Sequence, residues 1–212
     1  MEKRIFVFYS NTIRTDGNFK DLYRAGRVDI LIHSIIHAFF LSNGLRKNVT
    51  FDAILNGPPF APIRIKIESS LETPWSKKDV KTLLSLALKK YNKKKNSKPF
   101  PAIFVERKDF REVINEYLAK QKRIYVLEKS GKFIEEIKLK NPVFVVGDFL
   151  GIPKKELKWL KDKAEFISLG DVPYFTSQVI MILNWYLDKI GYPKDFWKTE
   201  EKFEELKKKL KF

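Results

Sequence analysis

Residues 143–153 read VFVVGDFLGIP. An apolar run with no polar alternation enters Gly147, Asp148 and then a second glycine, Gly151. Uninterrupted apolar strands are buried on both faces, and such strands belong to parallel sheets with helices above and below. IFVF at 5–8 has the same character. In open parallel sheets ligands lie beyond the carboxyl ends of the strands, and a glycine there lets a ligand approach where a Cβ would clash. Two further strand-like runs end in a comparable way, 123–128 in VLEKSGK and 164–169 in ISLGDVPYFTS. Three convergent loops of this kind make a nucleoside pocket possible, with backbone N–H groups free to bond an adenine edge or ribose hydroxyls. Each loop alone also reads as an ordinary turn, because Gly, Asp and Pro suit turns whatever their function. No GxGxxG follows the first strand and no GxxxxGK[ST] occurs, so neither a dinucleotide-type Rossmann enzyme nor a P-loop NTPase is supported.

Outward from this stretch, periodicity predicts strands at 4–10, 49–56, 63–69, 102–106, 123–128, 143–147 and 164–169. It predicts helices at 28–43, 76–92, 108–121, 153–161 and 175–190, with Ser76 and Asp79 close to a capping box. Strands alternating with helices define the α/β class, a mostly parallel sheet with helices on both faces. IRIKIES at 63–69 alternates with period two, as a half-exposed strand does. The lysine-rich stretch 89–101 reads as a solvated loop within reach of phosphate. Residues 1–192 form one domain. Residues 193–212 read as a tail with a short amphipathic helix that presents Phe203, Leu206 and Leu210 on one face.

The 212 residues carry 42 basic and 26 acidic side chains, a formal charge of +16. A lysine-rich composition of the thermophile type would raise Glu alongside Lys. The imbalance instead favours a polyanionic partner, and nucleic acid is the usual one. Cysteine is absent, which excludes disulfides and thiolate chemistry. The two histidines, His33 and His37, share a helix face but lack the further ligands a zinc site needs, so no metal is expected. No apolar run reaches the length of a membrane span, and the chain reads as soluble and cytoplasmic, with no membrane association.

The segment AGRVDILIHSIIHAFFLSNGLRKNVTFDAILNGPPFAP, residues 25–62, resembles GRLD…AFFLSHGIRRDV…GPP of the archaeal tRNA pseudouridine-54 N1-methyltransferases, members of the knotted SPOUT superfamily. IYVLEKSGK is similar to that family's YYLHEDG, NPVFVVGDFLGIP to its NPVFVLGDHIGLP, and ISLGDVPYFTSQVI to its last cofactor loop. The motifs keep family order from about residue 4 to 190. The resemblance implies a C-terminal trefoil knot, a homodimer, tRNA as partner and S-adenosyl-L-methionine as cofactor. It places Leu127, Gly147, Leu169, Gly170, Asp171, Val172, Pro173, Tyr174 and Val179 around that cofactor. Arg27 and Asp29 match GRLD and are the candidates for substrate contact, Asp29 as proton acceptor. Arg46 and Lys47 match the family's basic pair and would hold phosphate. Phe149, Asn43, Asn48 and His33-Ser34 stand where the family has other polar residues. Methylation of pseudouridine N1 in ribosomal RNA and a non-catalytic RNA-binding role stay open beside the tRNA reading.

Overall fold

Every residue from Arg4 to Ser10 is buried, and their side chains divide between two cores. Phe6 and Phe8 enter one cluster, while Ile5, Val7 and Tyr9 enter the other. That division is the physical content of a run without polar alternation: both faces of the strand are covered.

The computed structural model describes residues 2–73 and 76–201. In chain order the elements are β1 (Arg4–Ser10), α1 (Val28–Phe39), β2 (Phe40–Leu41), β3 (Gly44–Arg46), β4 (Val49–Leu55), β5 (Ile63–Glu68), α2 (Val80–Lys94) and β6 (Ile103–Glu106). They continue with α3 (Phe110–Ala119), β7 (Arg123–Phe133), β8 (Pro142–Gly147), α4 (Lys154–Leu160), β9 (Ala164–Ser168), α5 (Thr176–Lys189) and β10 (Phe196–Lys198). The main sheet has the order β6-β5-β4-β1-β8-β7-β9. β4, β1, β8, β7 and β9 run parallel, and β5 and β6 close one edge antiparallel. The half-exposed 63–69 strand therefore belongs to that edge. The short 56–62 connection cannot carry a parallel crossover, which needs a dozen or more residues.

Helices cover both faces, as the α/β pattern requires. α1, α2 and α5 pack into the cluster built on Phe6, Phe51 and Phe144. α3 and α4 supply Phe110, Val113, Ile114, Tyr117 and Leu160 to the other. α3 starts with a complete capping box between Asp109 and Glu112.

Among the differences from the sequence reading, three change what a segment forms. α1 stops at Phe39 because Phe40 and Leu41 turn back to pair with Leu45 and Gly44. The lysines at 89–94, read as a loop, are the last turns of α2, where basic side chains complement the carbonyl end of the helix. The tail opens as a strand: Phe196, Trp197 and Lys198 pair with Arg46, Leu45 and Gly44 in a small antiparallel sheet. Phe203, Leu206 and Leu210, the expected apolar face of the tail helix, lie outside the described residues.

An ion-pair network ties that small sheet to the body. Asp188 on α5 accepts bonds from Arg4 at 2.6 Å and from Arg46 at 3.0 and 2.7 Å. Arg4, completely buried, also donates to the Asn184 carbonyl at 2.9 Å and the Pro193 carbonyl at 3.0 Å. Burial opposes the Asp188 charge, but the Arg46 hydrogen bonds and the two guanidinium charges outweigh it and hold the carboxyl below its ordinary range.

Candidate active site

The middle of β7, just past its parallel pairing with β8, together with the end of β9 and the start of α5, lines a cavity of about 210 Å³. Leu127, Leu169, Gly170, Asp171, Val172, Pro173, Tyr174 and Val179, all singled out from the sequence, line it together. Glu128, Lys129, Ile167 and Ser168 line it too and were missed. Their signal was adjacency: Glu128 and Lys129 follow Leu127, and Ile167 and Ser168 precede Leu169. Burial pushes the Glu128 carboxyl upward, with no other cause of comparable size.

Local bonds shape this loop before any ligand arrives. Gly170 sits at φ 99°, a backbone region open to glycine and strained for other residues, and its N–H donates to Ser168 Oγ at 3.0 Å. The Phe175 N–H donates to Gln178 Oε1 at 2.9 Å, fixing the first turn of α5. Thr176 Oγ donates to the Gly147 carbonyl at 2.8 Å, which fastens the β8 end to the same turn.

Gly147 itself does not line the cavity. A Cβ there would lie 2.4 Å from the Gly151 carbonyl carbon and 2.8 Å from the Ile152 nitrogen. The bare backbone at the end of VFVVG is therefore covered by its own chain, which folds back through the Asp148–Gly151 bridge. Packing against its own chain by itself calls for a glycine at 147.

Asp148, buried, organises that turn. Its carboxylate accepts from the Leu150 N–H at 2.9 Å and lies 3.4 Å from Thr12 Oγ, which donates to the Gly26 carbonyl at 2.9 Å. These bonds bring the 26–29 segment against the β8 end. Arg27 holds Asp29 through Nε at 3.0 Å and Nη2 at 2.9 Å, a two-point pair. The hydrogen bond to Asp29 raises the Arg27 pKa, so the guanidinium stays charged. Asp29 also lies in the first turn of α1, where the helix dipole favours an anion.

The basic pair separates. Arg46 is buried with its guanidinium engaged by Asp188, so the expectation that it holds RNA phosphate is corrected. Lys47 is exposed, its Nζ 5.6 Å from the Trp197 ring centroid. His33 and His37 are exposed on α1. Among the described residues no group of three or more His, Cys, Asp or Glu is placed to hold a metal, and no helix is long and apolar enough to cross a membrane.

A mostly parallel α/β sheet carries a small cavity lined by residues 127–129, 167–174 and Val179, and a carboxylate–guanidinium pair stands at the β8 end. The fold matches Archaeoglobus fulgidus Nep1, solved bound to S-adenosylhomocysteine, with a TM-score of 0.60 at 12% identity, over 89% of this chain and 98% of that one. Residues 3–192 match a family model described as SAM-dependent RNA methyltransferases. A tRNA (pseudouridine(54)-N(1))-methyltransferase of Methanocaldococcus jannaschii is 34% identical, covering 88% of this chain and 97% of its own. The Pyrococcus abyssi enzyme of the same name is 33% identical, covering 90% of this chain and 100% of its own. The chain belongs to this family of SAM-dependent RNA methyltransferases.

Proposed function

We propose that the protein methylates N1 of pseudouridine 54 in the T-loop of tRNA, using S-adenosylmethionine, as a trefoil-knotted homodimer in the cytoplasm. One observation carries the reading. The strand-end cavity and the Arg27–Asp29 pair hang on the same β8 terminus, the first through Thr176 and the Gly147 carbonyl, the second through Asp148, Thr12 and Gly26. A cofactor and an RNA base held at these two places would both lie against the β8 end. The identity of the base comes from the named relatives.

The cavity residues fit the cofactor. Leu127, Ile167, Leu169 and Val179 offer apolar walls for a purine, and the Gly170 turn presents backbone groups for hydroxyls. Glu128 and Asp171 offer carboxylates to a cationic ligand. Bound there, the sulfonium supplies an already activated methyl group, so positioning carries much of the rate.

The residues of the chain then act on the base. Pseudouridine N1–H is an imide-like nitrogen and a poor nucleophile until its proton leaves. Asp29 accepts that proton, which would leave N1 free to take the methyl group from a bound donor. Arg27 commits Nε and Nη2 to Asp29 and keeps Nη1 for a base carbonyl, where it offsets the growing negative charge.

A volume of about 210 Å³ is small beside the roughly 300–1,000 Å³ of ordinary ligand pockets. Val172, Tyr174 and Phe175 are exposed at its rim, and Met181 and Trp185 continue along α5. A second copy seated on this apolar strip would enlarge and close the pocket.

Incubation of a T-arm hairpin with labelled S-adenosylmethionine tests the reading. Label should enter N1 of pseudouridine 54 and should not enter a hairpin with uridine there. Transfer to both, or to neither, counts against it.

A further inference from the structure

The surroundings of Arg27 hold more than the mechanism above uses. Its backbone sits at φ 63°, ψ 45°, a left-handed conformation that a non-glycine residue keeps only where its neighbours over-determine it. Two aromatic rings lie against the guanidinium, Tyr23 at 4.6 Å and Phe149 at 5.6 Å from centroid to Cζ. Neither ring serves the core: Tyr23 is 67% exposed and Phe149 51%.

They come from different parts of the chain, each on a fastened turn. Asp21 Oδ1 accepts from the Tyr23 and Arg24 N–H groups at 2.9 and 3.1 Å, and the Tyr23 carbonyl accepts from the Gly26 and Arg27 N–H groups at 3.1 Å. Phe149 lies between Asp148, whose N–H donates to the Tyr9 carbonyl at 3.0 Å, and Leu150, whose N–H donates to the Asp148 carboxylate. Large rings held out in water beside a planar cation make a surface for π-faced ligands. Unpaired nucleobases are recognised this way, by stacking on aromatic rings and guanidinium planes. A second copy of the chain could also cover exposed rings, but it brings the same charge of +16, whereas RNA brings the opposite sign.

We infer that Tyr23 and Phe149, with Arg27 between their chain segments, form a stacking platform that grips unpaired bases of the RNA loop and presents the target base to Asp29. The inference rests on the proposed RNA substrate. It assigns Tyr23 and Phe149 a positioning role through base stacking, with no part in proton or methyl transfer.

The test uses the full chain and a T-arm hairpin carrying 2-aminopurine beside the target nucleotide, whose fluorescence falls when it stacks on an aromatic ring. Wild-type protein should quench the probe. Tyr23→Leu and Phe149→Leu keep an apolar side chain but remove the ring; each should relieve the quenching and raise KM for the hairpin roughly five- to a hundredfold. kcat should fall less than KM rises, and S-adenosylhomocysteine affinity should change little. Unchanged quenching and KM in both variants overturns the inference. So does a Phe149→Leu variant whose oligomeric state shifts while RNA affinity holds, which would make the ring part of a protein interface. Quenching by wild-type protein without methyl transfer retains the platform and overturns only the proposed function. Methyl transfer with an unquenched probe does the reverse.

Discussion

Gly147 illustrates how far a single residue can be read. A glycine ending a buried strand is visible in VFVVGDFLGIP, and its need for a missing Cβ follows directly. What fills that space is a tertiary matter: the Gly151 backbone, 2.4 Å from the ideal Cβ position. Gly147→Ala should therefore cost stability, about 1–3 kcal/mol as overpacking does, seen as a lower melting temperature without ligand. A variant that melts normally but loses cofactor affinity would support the ligand-approach reading. Asp29→Asn makes the complementary prediction. It should lower kcat about 10²–10⁴-fold, the usual contribution of a positioned proton acceptor, and leave S-adenosylhomocysteine binding intact by calorimetry. A variant that retains full turnover would remove Asp29 from the mechanism.

At the scale of elements, strands and helices were legible because apolar periodicity survives in one dimension. VFVV and IFVF proved to be central parallel strands. The strand at 63–68 was legible in place but not in direction, since pairing depends on the brevity of the 56–62 loop. Arg46 was legible as basic and not as buried, because its partner Asp188 is 142 residues away. That network carries its own prediction. Asp188→Asn would leave two buried guanidinium groups without a counter-charge, at a cost of about 3–5 kcal/mol. The pH dependence has a definite sign. The Asp188 carboxyl is held below its ordinary range, so its stabilisation is complete above the unfolded value near about 3.9 and is lost as pH falls through the lower folded value. Acid titration followed by circular dichroism should find the wild type losing stability below about pH 4 and the Asn variant with less left to lose. Parallel acid curves would contradict the assignment.

The molecule as a whole carries +16, and the cavity residues gather at one end of its parallel strands. The candidate cofactor residues were legible because one loop, 169–174, supplies most of them in sequence. Arg27 and Asp29 were legible as a pair; the bonds through Thr12 and Asp148 that set them beside the β8 end were not, since they join segments far apart in the chain. If six to ten phosphates are engaged, affinity for tRNA should fall about 10³–10⁵-fold between 50 and 200 mM salt. Affinity that is flat across that range would argue against a backbone-contacting RNA partner.

The central claim is that the cavity between the middle of β7 and the end of β9 holds the cofactor within this fold. Its most direct test is calorimetric titration of S-adenosylhomocysteine into the wild type and into Val179→Trp, which places a large ring against the cavity wall. The account predicts saturable binding to the wild type, loss of that binding in the variant, and similar ligand-free melting of the two. Undiminished binding to a well-folded Val179→Trp protein would place the cofactor elsewhere and contradict the account.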